Sequence, residues 1–126
     1  MRILLVEDQD AIRRLIEALV KARGHEVVAV NSGAKAIEAS MKTPPDLVLL
    51  DLHLPGQYDG FEVCRRIRGT SETSKVPVVV ISARDDEEAR RKAAEAGATS
   101  YYGKPFSPTA LLDEIMKFQT ERKRDV

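Results

Sequence analysis

The chain has 126 residues with 20 basic and 20 acidic side chains, which suits one domain and gives no net field toward nucleic acid or an anionic membrane. No apolar run approaches the roughly 20 residues that cross a bilayer, and no basic-then-apolar leader precedes Ile3. A lone cysteine, Cys64, excludes an internal disulfide and a Cys-based zinc site, and the absence of Trp leaves little for stacking bases. A cytoplasmic protein that touches neither membrane nor nucleic acid directly is the expectation.

Residues 3–6 (Ile-Leu-Leu-Val) form an unbroken apolar run, the habit of a strand covered on both faces of a parallel sheet, and Glu7-Asp8 follow at once. Ile12, Leu15, Ile16 and Leu19 recur at helical spacing, with Arg13, Arg14, Glu17 and Lys21 on the other side. Asp10 is the expected N-cap, and Gly24 stands where a helix end favours positive φ. Residues 26–30 read as a second strand. Ser32 caps a helix expected to turn Ala36, Ile37 and Met41 inward, and Pro44-Pro45 stop it.

Residues 47–50 are the third strand, ending in Asp51 and the Pro55-Gly56 turn. Asp59 caps a helix with Phe61, Cys64 and Ile67 on one face, and 69–75 is a polar connector. Residues 76–81 form the fourth strand, ending in Ser82-Ala83. The helix over 86–96 has acids first and bases later, as its dipole favours, and alanines as its only apolar residues. It is therefore expected to bury little area and to be weakly held. Residues 98–102 are the fifth strand, followed by Gly103-Lys104-Pro105. Ser107-Pro108 start the last helix, with Leu111, Leu112, Ile115 and Phe118 inward. The domain reads as 1–121, with a polar tail over 122–126. Met1, so close to the first strand, fits a natural N-terminus.

Strands alternating with helices demand an α/β fold: a five-stranded parallel sheet with right-handed crossovers and helices on both faces. In a flavodoxin-like doubly wound sheet of order 2-1-3-4-5, strands one and three adjoin at the switch point. That order belongs to the fold class and is not dictated by the spacing. Given it, Glu7, Asp8 and Asp51 crowd one crevice, with Ser82 and Lys104 at neighbouring strand ends. Like charges this close call for a cation, and hard oxygen ligands suit Mg²⁺. An ammonium and a hydroxyl are what a phosphoryl group wants, so Asp51 reads as a carboxylate nucleophile. Each residue alone has a plainer role: an acidic pair at a helix start, a strand-end hydroxyl, a surface lysine.

The segments 3–8, 51–56, 59–63, 80–83, 96–98 and 104–106 (Ile-Leu-Leu-Val-Glu-Asp, Asp-Leu-His-Leu-Pro-Gly, Asp-Gly-Phe-Glu-Val, Val-Ile-Ser-Ala, Ala-Gly-Ala, Lys-Pro-Phe) carry a resemblance. The chain resembles the receiver domain of two-component response regulators, of the single-domain chemotaxis type. The resemblance implies phosphorylation of Asp51 by a histidine kinase or phosphotransfer protein, with Mg²⁺ at Glu7, Asp8, Asp51 and the backbone carbonyl of His53. It implies phosphoryl contacts from Ser82, Ala83 and Lys104, a switch pair of Ser82 and Tyr101, and a cis bond before Pro105. His53 and Arg84 fall at positions that tune water access to the acyl phosphate. The implied output is a surface of helix four, strand five and helix five that binds an unidentified partner. The implied protein is a signalling switch and not an enzyme beyond its own phosphorylation and slow autodephosphorylation. A monomer is expected, with pairing on phosphorylation left open.

Gln57-Tyr58 stand where one residue is usual, which leaves the loop over 56–59 open. His25 is expected on the surface and Cys64 in the core as a small hydrophobe. A phosphohydrolase would want a second carboxylate where His53 stands. A flavin or nucleotide binder would want a Gly-rich loop after strand one. A scaffold that had lost phosphorylation would not keep all five site residues.

Overall fold

Apolar runs without polar alternation can be buried only between two helical layers. The computed structural model describes residues 1–124 and shows that arrangement. Strands β1 (Arg2–Val6), β2 (Glu26–Val30), β3 (Leu47–Leu50), β4 (Val78–Ser82) and β5 (Ser100–Gly103) form one parallel sheet of order β2-β1-β3-β4-β5. Helices α1 (Asp10–Lys21), α2 (Gly33–Lys42), α3 (Gly60–Gly69), α4 (Glu87–Ala96) and α5 (Pro108–Arg124) connect and follow them. The α/β fold and strand order are those expected. No described helix is long and apolar enough to cross a membrane.

Side chains alternate along each strand and so divide between the two layers. Ile3, Leu5, Leu47, Leu49, Val79 and Ile81 pack with Ile16 and Val20 of α1 and Leu111 and Ile115 of α5. Leu4, Val6, Val48, Leu50 and Val78 pack on the opposite face with Val63, Cys64 and Ile67 of α3. Val80 and Leu52 meet Ala93 of α4. Register then fixes what emerges at the carboxyl edge. Val6 pairs with Leu50, and Ser82 pairs with Gly103, so Glu7 and Asp51 leave the sheet side by side and Lys104 leaves beside Ser82.

The structure corrects several local expectations. In α1 the buried pair is Ile16 and Val20, while Leu15 is 49% exposed. The helix is rotated about one position from the stripe read in the sequence. Asp10 is the first helical residue and Gln9 the cap, because the Asp10 carboxylate is taken by Arg13 three residues on. Gly33, Ala36 and Ser40 are the buried residues of α2, and Met41 is 68% exposed. His25 is buried, with the Met1 amino group 3.1 Å from its Nδ1. Burial, then that positive charge, holds its imidazole below the ordinary 6.5. Strand β4 begins only at Val78, since Pro77 has no N–H to give a ladder. Of the tail expected over 122–126, residues 122–124 continue α5, and residues 125–126 lie outside those described.

The end of α4 is fastened from outside. Arg68, near the end of α3, donates from Nε to the Gly97 carbonyl, from Nη1 to the Ser74 and Val76 carbonyls, and from Nη2 to Thr99 Oγ1. The start of α4 depends on Asp86, whose Oδ1 accepts the Ala89 N–H at 2.8 Å. Between these ends its buried residues are Ala89, Ala93 and Ala96. Each buried methyl brings about 0.8 kcal/mol, against about 1.5–3 for each Ile or Val that α1 buries. Amides of Glu87–Ala96 are accordingly expected to exchange with solvent faster than those of Asp10–Lys21. Native-state hydrogen exchange checks this, and equal or slower exchange in α4 counts against it.

Candidate functional site

Two of the three crowded carboxyls are withdrawn from water. Glu7 is 2% exposed and Asp51 4%, whereas Asp8 is exposed. The Lys104 Nζ lies 2.7 Å from Glu7 Oε1 and 3.3 Å from Asp51 Oδ2, although 97 and 53 residues of chain separate the pairs. The remaining oxygens are held by local backbone. The Gln9 N–H donates to Glu7 Oε2 and the His53 N–H to Asp51 Oδ1, each at 3.1 Å.

One ammonium does not satisfy this cluster. Burial lifts the Glu7 carboxyl above its ordinary 4.5, against the hydrogen bonds from Lys104 and Gln9 and with a further push from Asp51. Burial works against the Lys104 ammonium too. The Glu7 hydrogen bond and the Asp51 charge outweigh it, and its pKa sits above 10.5. One oxygen each of Glu7, Asp8 and Asp51 lies within 4.8 Å of the others. With all three ionised and Lys104 charged, two negative charges remain over, which a divalent cation would balance. Hard oxygen donors at the edge of water fit Mg²⁺, which takes one or two carboxylates and keeps several waters. This is the one such group of possible ligands among the described residues.

The other side of the crevice is built by the β4–α4 loop. Ser82 is fully buried; its Oγ accepts the Arg84 N–H at 3.1 Å, and its carbonyl accepts the Lys104 N–H at 2.8 Å. Ala83 is exposed at the rim. The Tyr101 hydroxyl donates to the Arg84 carbonyl, and the Arg90 guanidinium lies 4.7 Å from the Tyr101 ring centre. The Arg84 side chain is turned to Asp86, with Nε and Nη2 each 3.0 Å from a carboxylate oxygen. That pair, then the Ala89 N–H, holds the Asp86 carboxyl at about 2. The peptide bond between Lys104 and Pro105 is cis. His53 is exposed.

Two glycines let the β3–α3 loop close over the strand end. A Cβ on Gly60 would lie 2.4 Å from the Asp51 carbonyl oxygen, and one on Gly33 would lie 2.3 Å from the Tyr58 carbonyl oxygen. The loop with the extra residue is thus seated on the start of α2, and the Tyr58 ring is covered by Arg66 at 4.5 Å. Arg13, placed by the sequence on the outer face of α1, instead reaches the β1–α1 loop. Its Nη1 donates to the Glu7 carbonyl at 3.1 Å and its Nη2 to Asp10 Oδ1 at 2.6 Å. The nearest sequence signal was its spacing of three from Asp10.

The model of the response regulator receiver domain matches residues 3–116. The chain belongs to that family. As a receiver it is 42% identical over 109 residues to the transcriptional regulatory protein AfsQ1 of Streptomyces coelicolor, covering 86% of this chain and 47% of that protein. It spans about half the length of the curated relatives it matches. Among solved structures it superposes on the BeF3-activated N-terminal receiver domain of RstA from Klebsiella pneumoniae with a TM-score of 0.85 and 33% identity, over 94% of this chain and 97% of that one. It superposes equally on the receiver domain of sensor histidine kinase PA1611 from Pseudomonas aeruginosa, with a TM-score of 0.85, 30% identity and 93% and 95% coverage. That structure has a magnesium ion coordinated in its active site cleft.

The unbalanced charge has a measurable cost. In metal-free buffer at pH 7, Asp51→Asn is expected to stabilise the fold by about 1 kcal/mol, raising the melting midpoint by about 3–5 °C, because Lys104 then serves Glu7 alone. Glu7, with its folded pKa raised, contributes stability that is present below its unfolded value and lost as pH rises through the folded one. The parent should therefore gain stability relative to Glu7→Gln as pH falls from 7 toward 4.5. Denaturant unfolding of both proteins across that range measures the difference.

Proposed function

We propose that this receiver accepts a phosphoryl group on Asp51 from a phosphohistidine of a kinase or phosphotransfer protein. The observation that carries the reading is a nearly buried Asp51 carboxylate sharing one ammonium with Glu7 at the mouth of the crevice. An Asp51 oxygen attacks phosphorus, the P–N bond breaks, and the departing imidazole keeps the electron pair and takes up a proton. Glu7, Asp8, Asp51 and the backbone carbonyl of His53 would hold Mg²⁺, which supplies neutralisation of the oxygens that gain charge. Lys104 moves from sharing the carboxylates to pairing with a phosphoryl oxygen. Ser82 donates its hydroxyl proton to another, and the Ala83 N–H serves a third.

The consequence is carried outward by bonds already made. Drawing Ser82 toward the phosphoryl group breaks its bond from the Arg84 N–H, and Arg84 is joined to Tyr101 through its carbonyl and to Asp86 through its guanidinium. Tyr101 and the capped start of α4 then shift together, and the surface of α4, β5 and α5 changes for an output partner. His53 and Arg84, at the rim, govern how readily water hydrolyses the acyl phosphate. The activity is that of a signalling switch, with self-phosphorylation and slow autodephosphorylation its only chemistry. It works in the cytoplasm as a monomer at rest.

Incubation with acetyl phosphate and MgCl₂, followed by intact mass, is expected to give one labile phosphoryl adduct. The adduct should vanish in Asp51→Asn and when EDTA replaces the metal. An adduct that persists in Asp51→Asn refutes the assignment.

A further inference from the structure

Arg13 touches none of the groups just assigned, yet it fixes the backbone that presents one of them. Its side chain is only 18% exposed and its guanidinium makes two separate bonds, to the Glu7 carbonyl oxygen and to the Asp10 carboxylate. The Glu7 N–H is already held by the Val30 carbonyl at 3.1 Å, and the Glu7 side chain by Lys104 and by the Gln9 N–H. What these leave free is the plane of the peptide joining Glu7 to Asp8. That plane sets the direction in which the exposed Asp8 leaves the chain. Gln9, the cap of α1, holds the loop through its backbone N–H and carbonyl but makes no side-chain cap bond, and neither backbone bond reaches the Glu7 carbonyl.

We propose that Arg13 is a positioning residue for the divalent-cation site: by clamping the Glu7 carbonyl it aims Asp8 at Asp51. The proposal rests on the Mg²⁺ reading above.

Charge and geometry oppose each other here, which makes the sign decisive. As a bare cation, Arg13 repels Mg²⁺, and removing it would tighten metal binding. As a clamp, it keeps the Asp8 ligand within reach of its partners, and removing it loosens binding. Its charge is largely offset by the bonded Asp10, so the geometric effect should win. Lysine keeps the charge but has no fork to reach two acceptors at fixed geometry.

The test is a MgCl₂ titration of the intact chain, read from the backbone amide shifts of Gln9 and His53. The dissociation constant is expected to rise about tenfold in Arg13→Ala and by a smaller factor in Arg13→Lys, in line with outer-shell losses at other metal sites. At saturating MgCl₂, phosphoryl uptake from acetyl phosphate by Arg13→Ala should return to the parent rate. Equal or tighter binding in Arg13→Ala overturns the proposal, as does a rate that stays low at saturation. Should Arg13→Ala not fold, parent-like affinity in Arg13→Lys overturns it alone. A parent chain with no saturable shift at Gln9 and His53 refutes the Mg²⁺ reading itself, a result distinct from any change among the Arg13 variants.

Discussion

Two carboxylates withdrawn from water, with one ammonium between them, are the constraint around which this receiver is arranged. A buried pair of like charges is tolerable only where an opposite charge is fixed in place. Here that charge comes from the far end of the chain, just beyond β5. Holding Lys104 against Glu7 and Asp51 requires β1, β3, β4 and β5 to end at one level, which requires their parallel register. The register in turn requires strands apolar on both sides and helices over both faces. The density of Val, Leu and Ile in the strands is thus the foundation on which an unfavourable cluster can stand.

The rest of the crevice is held by bonds that each serve two masters. The Ser82 hydroxyl accepts from Arg84 while its carbonyl holds Lys104. Asp86 caps α4 and also binds Arg84. Tyr101 reaches the Arg84 carbonyl while Arg90 of α4 lies over its ring. Because these bonds share partners, none can be exchanged singly. A loop so connected has few arrangements open to it, which favours switching over gradual drift. The sheet beneath is fixed by packing: β3 and β4 are buried along their whole length.

Much of this was legible in the residues. Four apolar runs ended in polar groups, and Ser32 and Asp59 stand as caps because a short oxygen-bearing side chain before a helical stripe has few other uses. The order of the strands was not legible, since spacing permits several windings and the fold class chose among them. Helix phase was read a step off in α1, where Leu15 and Val20 are equally apolar and only the sheet decides which is covered. Met41 misled for the same reason. His25 was misplaced because its cover is Met1, which lies 24 residues away in sequence. Arg13 looked like a solvent residue because a long side chain can fold back along its helix, and its spacing of three from Asp10 points to that ion pair but not to the Glu7 carbonyl.

Arg68 binds the loop after α4 at the Gly97 carbonyl and the Thr99 hydroxyl and touches nothing at the helix's start. The start of α4 is held instead through Asp86, bonded to Arg84, and through Arg90, which lies over the Tyr101 ring. The two ends of one short helix thus answer to different parts of the molecule: the Glu87 end to the crevice, the Ala96 end to α3 and the strand beyond it.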